Sequence, residues 1–125
     1  MTHNPPPPNP ADLQQQHFAT AFEEAAIGMA LVDPDGRYER VNRALCEMLG
    51  YTEAEMRTRV VPDLTHPLDI AEGQRLRQAL MSGQKNTYHR EKRFIRKDGS
   101  IIWTHLTCTL ARGSLGPACR SGASR

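Results

Sequence analysis

The spacing of apolar residues alternates between a helical and a strand period along the chain, and the changes outline its elements. Between residues 11 and 26, Leu13, Phe18, Phe22 and Ala25 or Ala26 fall near one face of a helix, with Gln14 to Gln16, Glu23 and Glu24 elsewhere. Asp12 is placed to cap its start. The apolar run Ile27-Gly-Met-Ala-Leu-Val ends at Asp33-Pro-Asp-Gly36, and residues 37–41 then alternate, which predicts a hairpin. Asn42 predicts the N-cap of a helix over 43–49, where Ala44/Met48 and Leu45/Leu49 are i, i+4 pairs and Gly50 is the stop. Thr52-Glu-Ala-Glu55 has the spacing of a capping box, opening a short helix to about residue 59. Two prolines break residues 60–67. Asp69 then predicts the cap of a helix over 70–82, with Leu76 and Leu80 inward and Gly83 as its stop. Strand-forming runs at 87–96 and 100–110 meet at Asp98-Gly99, a strong local hairpin signal. Hairpins at both ends with helices between imply an α+β fold: an antiparallel sheet with helices packed on one face, preceded by an amphipathic N-terminal helix.

Composition narrows this further. The 125 residues allow one small core. Residues 1–10 hold five prolines and no apolar periodicity, which predicts a disordered or polyproline-like leader rather than a secretory signal. Sixteen Lys plus Arg against 14 Asp plus Glu leave a net charge of +2, no global push toward nucleic acid or membrane. Cys46, Cys108 and Cys119 are odd in number and widely spaced, so free thiols in a reducing, cytoplasmic compartment are expected.

The order of elements resembles the PAS (PAS/PAC, S-box) sensory domain over residues 27–112. The residues that carry the likeness are Ile27 to Gly36, Val41-Asn-Arg-Ala-Leu45, Leu49-Gly-Tyr51, Thr65-His-Pro67 and Arg93 to Trp103. The family's sheet ends in a fifth, apolar strand set between the first and fourth. Here the chain runs Arg112-Gly-Ser-Leu-Gly-Pro-Ala-Cys-Arg-Ser-Gly-Ala-Ser-Arg125, with no β-branched residue. That composition predicts no fifth strand, a disordered tail over 113–125, unpaired edges in mid-sheet and an association-prone domain.

The resemblance implies a sensory module. Such a module binds a small ligand or another PAS domain and regulates an output domain such as a histidine kinase or a cyclic-di-GMP enzyme; homodimers are common. Haem-binding relatives hold iron through a His in the long helix, and 70–82 has none. The reactive-Cys motif of covalent flavin sensors is absent, while a non-covalent flavin stays open, with Trp103 and Asn42 as candidates. Ile102, Leu106, Cys108 and Leu110 share one strand parity and Trp103 and His105 the other; the first set is expected to line the cavity. The candidate lining is therefore Asn42, Ile102, Leu106 and Cys108, with Asn42 a helix cap before it is a ligand contact.

No catalytic residues and no metal site are expected. His66 beside Pro67 suits a turn or cap better than a metal, and His89 and His105 are expected on the sheet surface. The cluster Arg90, Lys92, Arg93, Arg96 and Lys97 is divided between two faces by strand alternation. It is expected to form a solvated edge that discourages aggregation. The alternatives are a ligand-free protein–protein interaction or dimerisation module and a nucleic-acid-binding protein using the basic hairpin. Neither a nucleic acid nor a membrane is the expected partner.

Overall fold

The computed structural model describes residues 6–7, 9–110 and 116–124. In chain order these form helix α1 (Pro10–Glu24), strands β1 (Gly28–Val32) and β2 (Tyr38–Val41), and helices α2 (Arg43–Leu49) and α3 (Glu53–Met56). A 3-10 turn (Val61–Leu64), helix α4 (Pro67–Met81) and strands β3 (Thr87–Ile95), β4 (Ile101–Leu110) and β5 (Pro117–Ala123) complete the fold. The five strands make one antiparallel sheet in the order β2-β1-β5-β4-β3, and the fold is the expected α+β class. No helix among the described residues is long and apolar enough to cross a membrane.

Local chemistry sets most boundaries. Gly36 and Gly99 adopt φ of 86° and 87° in the two Asp-Gly hairpin turns, a region that L side chains rarely enter. Asn42 caps α2 and Gly50 ends it at φ 82°. Thr52 and Glu55 form the reciprocal capping box of α3.

Two starts differ from the sequence reading. Asn9, not Asp12, caps α1: its side chain accepts from the Asp12 N–H. α4 begins at Pro67 under a His66 cap, because Pro suits the first helical turn, and Asp69 lies inside that turn.

The larger correction is β5. The segment expected to be a disordered tail pairs with β1 from Gly28↔Ser121 to Leu31↔Ala118 and with β4 from Thr104↔Ala123 to Leu110↔Pro117. The edges expected to be unpaired in mid-sheet are therefore filled. Intrinsic propensity is outweighed here by position, because a central strand gains ladder hydrogen bonds on both sides. The entry to β5 requires a glycine. A Cβ at Gly116 would collide with the Val32 carbonyl oxygen, and Pro117 occupies the first strand position, where Pro is tolerated. The expected disorder of residues 1–5, 8, 113–115 and 125 lies outside the described residues.

The cysteine reading also changes. Cys108 and Cys119 are direct cross-strand partners on β4 and β5, with Cα atoms 4.2 Å apart and sulfurs at bonding distance; Cys46 is free. They are eleven positions apart in sequence. Only the unforeseen β5 brings them together.

The core is in two parts. Ala30, Val32, Val41, Leu45, Leu49, Met56, Leu64, Phe94 and Ile102 are among the residues of the larger cluster, and Leu80, Leu106 and Cys108 form the smaller.

Candidate functional site

Strand alternation decides what β3 and β4 present to the helices. On β4, Ile102, Thr104, Leu106 and Cys108 are buried, while Trp103, His105 and Thr107 face the other way. On β3 the buried positions are Lys92 and Phe94, with Tyr88 and Arg90 half-buried at the same parity. A buried lysine thus stands in line with the core phenylalanine.

α4 closes over this face. Asp69, in its first turn, accepts from the edge N–H of Arg93 at 2.9 Å and from the Arg93 guanidinium at 2.7 and 3.1 Å. The Arg90 guanidinium donates to the Asp69 backbone carbonyl at 3.3 Å. These bonds tie α4 to β3, and hydrogen bonding from Arg93 holds the Asp69 carboxyl down at about 2. Farther along α4, Arg77 Nη2 reaches the Asp33 carbonyl in the β1–β2 turn at 3.2 Å, while its buried Nε has no partner.

Between sheet and α4 is a cavity of about 190 Å³. Its walls are mainly apolar, from Ala30, Val32, Leu45, Phe94, Leu106 and Cys108. Exposed Asp35 and Gln74 mark its mouth. The polar groups inside are mostly donors. Burial pushes the phenols of Tyr38 and Tyr88 up, so both keep their O–H at working pH, and Ser121 adds a buried hydroxyl.

Lys92 is the exceptional member. It is 5% exposed, and its ammonium rests 4.2 Å from the centroid of the Phe94 ring. No carboxylate lies within ion-pair distance among the described residues. Burial, and secondarily the charge of Arg90, lowers its pKa from 10.5 to about 7, with Asp69 acting weakly the other way.

The residues chosen from sequence divide. Leu106 and Cys108 line the cavity. Ile102 points the same way but sits in the larger packed cluster, beyond the cavity wall. Asn42 is elsewhere and fully committed: Oδ1 accepts from Met29 and Leu45 N–H groups, and Nδ2 donates to the Phe22 and Ile27 carbonyls. It joins the end of α1, the start of β1 and the start of α2. Trp103 lies on the opposite sheet face under the Arg93 guanidinium, 4.8 Å from the ring centroid. His89 and His105 are exposed on that face, and His66 accepts from the Leu68 N–H.

The basic cluster is not the solvated edge expected. Lys92 faces the cavity, Arg90 and Arg93 hold α4, Arg96 donates to the Met48 carbonyl and Lys97 pairs with Glu55 at 2.6 Å. The sequence did carry a signal for Lys92: it is two residues from Phe94 on a strand, so both share a face.

A family model described as PAS domain matches residues 26–120. Among curated relatives, the chain is 39% identical over 102 residues to the probable diguanylate cyclase DgcE of Escherichia coli (strain K12), covering 82% of this chain and 9% of that protein. It is 30% identical over 97 residues to the sensor histidine kinase TmoS of Ectopseudomonas mendocina, covering 77% of this chain and 10% of that one. The chain therefore spans about a tenth of the length of these relatives. The crystal structure of a PAS domain from Colwellia psychrerythraea superposes with a TM-score of 0.79 at 20% identity, over 88% of this chain and 96% of that one.

Proposed function

The chain belongs to the PAS domain family, and on that premise we propose that it is a sensory module whose cavity takes a small molecule and whose occupancy regulates an output domain. The relatives supply the class of output, a diguanylate cyclase or a histidine kinase. The observation that carries the reading is the cavity of about 190 Å³ between the sheet and α4. An apolar cavity of roughly 150 Å³ holds benzene, whereas drug-sized ligands occupy roughly 300 Å³ or more. The size therefore fits a compact molecule and does not fit a flavin or a haem.

Regulation has a structural route in this reading. α4 is tied to β3 through Asp69 and to the β1–β2 turn through Arg77, so a ligand that displaces α4 strains both attachments. A second reading, association through α1, is supported by Leu13 and Phe18, exposed by 39% and 49% on a helix that buries only Phe22 among its described residues.

A thermal-shift panel of compounds with six to ten heavy atoms separates the two. A saturable rise in melting temperature that is lost when Ala30→Leu fills the cavity is the expected result. No shift from any compound, with dimerisation abolished by Phe18→Glu, would replace sensing with association.

A further inference from the structure

We propose that the cavity takes a small monocarboxylate with a compact apolar body, about the size of benzoate, and that Lys92 supplies the counter-charge. The inference rests on the ligand-sensing reading above and names the ligand's class.

A buried ammonium without an anion is costly, and native structures resolve the cost by neutralising the group or by pairing it. Lys92 is buried, and its ammonium lies against the face of Phe94 in the wall of the cavity. The carboxylate best placed to pair with it, Asp69, is already held by Arg93. An anion entering the cavity would provide what the fold withholds.

The rest of the lining agrees. The Tyr38, Tyr88 and Ser121 hydroxyls can donate to carboxylate oxygens, and the aliphatic and aromatic walls suit an apolar body. Charge limits the choice further. Among the described residues Arg77, Arg90 and Lys92 line the cavity with two acidic ones, of which Asp35 is exposed at the mouth and Asp69 is already paired with Arg93. The lining therefore favours an anion, and the volume of about 190 Å³ favours one small enough to carry a single carboxylate.

The match has a pH signature. Free Lys92 is half-protonated near pH 7, and a bound carboxylate favours the ammonium. Binding therefore takes up a proton above pH 7, and affinity falls by up to tenfold per pH unit until the raised pKa is reached. The other charged groups lining the cavity among the described residues are Asp69 and Arg77 from α4, Arg90 on β3 and Asp35 in the β1–β2 turn. Ordinary carboxylates and guanidinium groups do not titrate between pH 6 and 9. The Tyr38 and Tyr88 phenols are pushed above that window, and β4 and β5 contribute no other titrating group to the wall.

The test is calorimetric titration of the full chain with sodium benzoate and with benzyl alcohol, at pH 6 and pH 9. Benzoate should bind at least tenfold more tightly at pH 6, while benzyl alcohol binds equally at both. Lys92→Met should weaken benzoate tenfold or more at pH 6, remove its pH dependence and leave benzyl alcohol unaffected. Should that variant not fold, the wild-type pH profile decides alone. Benzyl alcohol binding without benzoate overturns the anion inference and leaves the cavity reading standing. Benzoate binding that ignores pH or Lys92→Met also overturns it. No binding of either probe removes both.

Discussion

At one end of the inner sheet face, Phe94 and Ile102 pack with Leu49, Met56 and Leu64, each of these three wholly buried. Two to six residues away along the same strands, Lys92, Leu106 and Cys108 face empty volume instead. Backbone pairing is continuous through both ends, with β3 and β4 in register from Thr87↔Thr109 to Ile95↔Ile101. The difference therefore lies in side chains and in what α4 covers. The filled end holds the helices to the sheet. The hollow end gives up dispersion contacts and buries a charge, both of which cost stability. On the proposed reading, a small molecule occupies that volume.

Substitutions that should break the comparison start with the filled end. Leu49→Ala should cost about 4 kcal/mol, because a fully buried leucine leaves a void, whereas Leu106→Ala should cost about 2 kcal/mol, since part of its surface already faces one. Urea denaturation of both variants checks the ratio. Asn42→Ala should cost about 3 kcal/mol in the same assay, stranding two buried carbonyls and two N–H groups at the joint of α1, β1 and α2.

The hollow end should respond with the opposite sign. Lys92→Met is expected to stabilise the fold by about 2 kcal/mol at pH 7, since it replaces a buried charge with an apolar chain of similar length. The pH dependence follows from the same group. Its folded pKa, about 7, lies below the unfolded value of 10.5, so the unfolded chain binds more protons between them and stability rises with pH. The clean window is pH 7 to 9. Above it, Cys46, whose thiol burial pushes up from 9.0, and Tyr38 oppose the trend. Thermal melts across that window should climb for the wild type and stay flat for Lys92→Met.

A separate loss is expected in acid. The stabilisation from Asp69 is complete above its unfolded pKa of 3.8 and disappears as pH falls through about 2; Asp69→Asn should blunt this acid limb. The smallest effect belongs to Lys97→Ala, where an exposed pair with Glu55 is removed and the denaturation midpoint should not move measurably.

The sequence made the filled end legible and most of the hollow end obscure. Asn42, Gly50 and the Thr52–Glu55 box act through neighbours a few residues away, so their spacing alone announced α2 and α3. Leu106 and Cys108 were found through strand parity, which is equally local. β5 was missed because Pro117-Ala-Cys-Arg-Ser-Gly-Ala123 is a strand only by virtue of β1 and β4 on either side, and neither partner is visible in the segment itself. Lys92 was missed for a related reason. Charge suggested solvent; its parity with Phe94 was readable along the strand, but the cover of α4, which makes that face an interior one, depends on tertiary placement.

The most direct measurement follows the Lys92 side chain itself, by recording its Cε and Nζ resonances as a function of pH with and without benzoate. A pKa near 7 in the free protein that climbs by more than one unit on saturation is the result this structure predicts. A free pKa near 10.5 that benzoate leaves unmoved would mean that Lys92 reaches water and that the hollow end is not built around its charge.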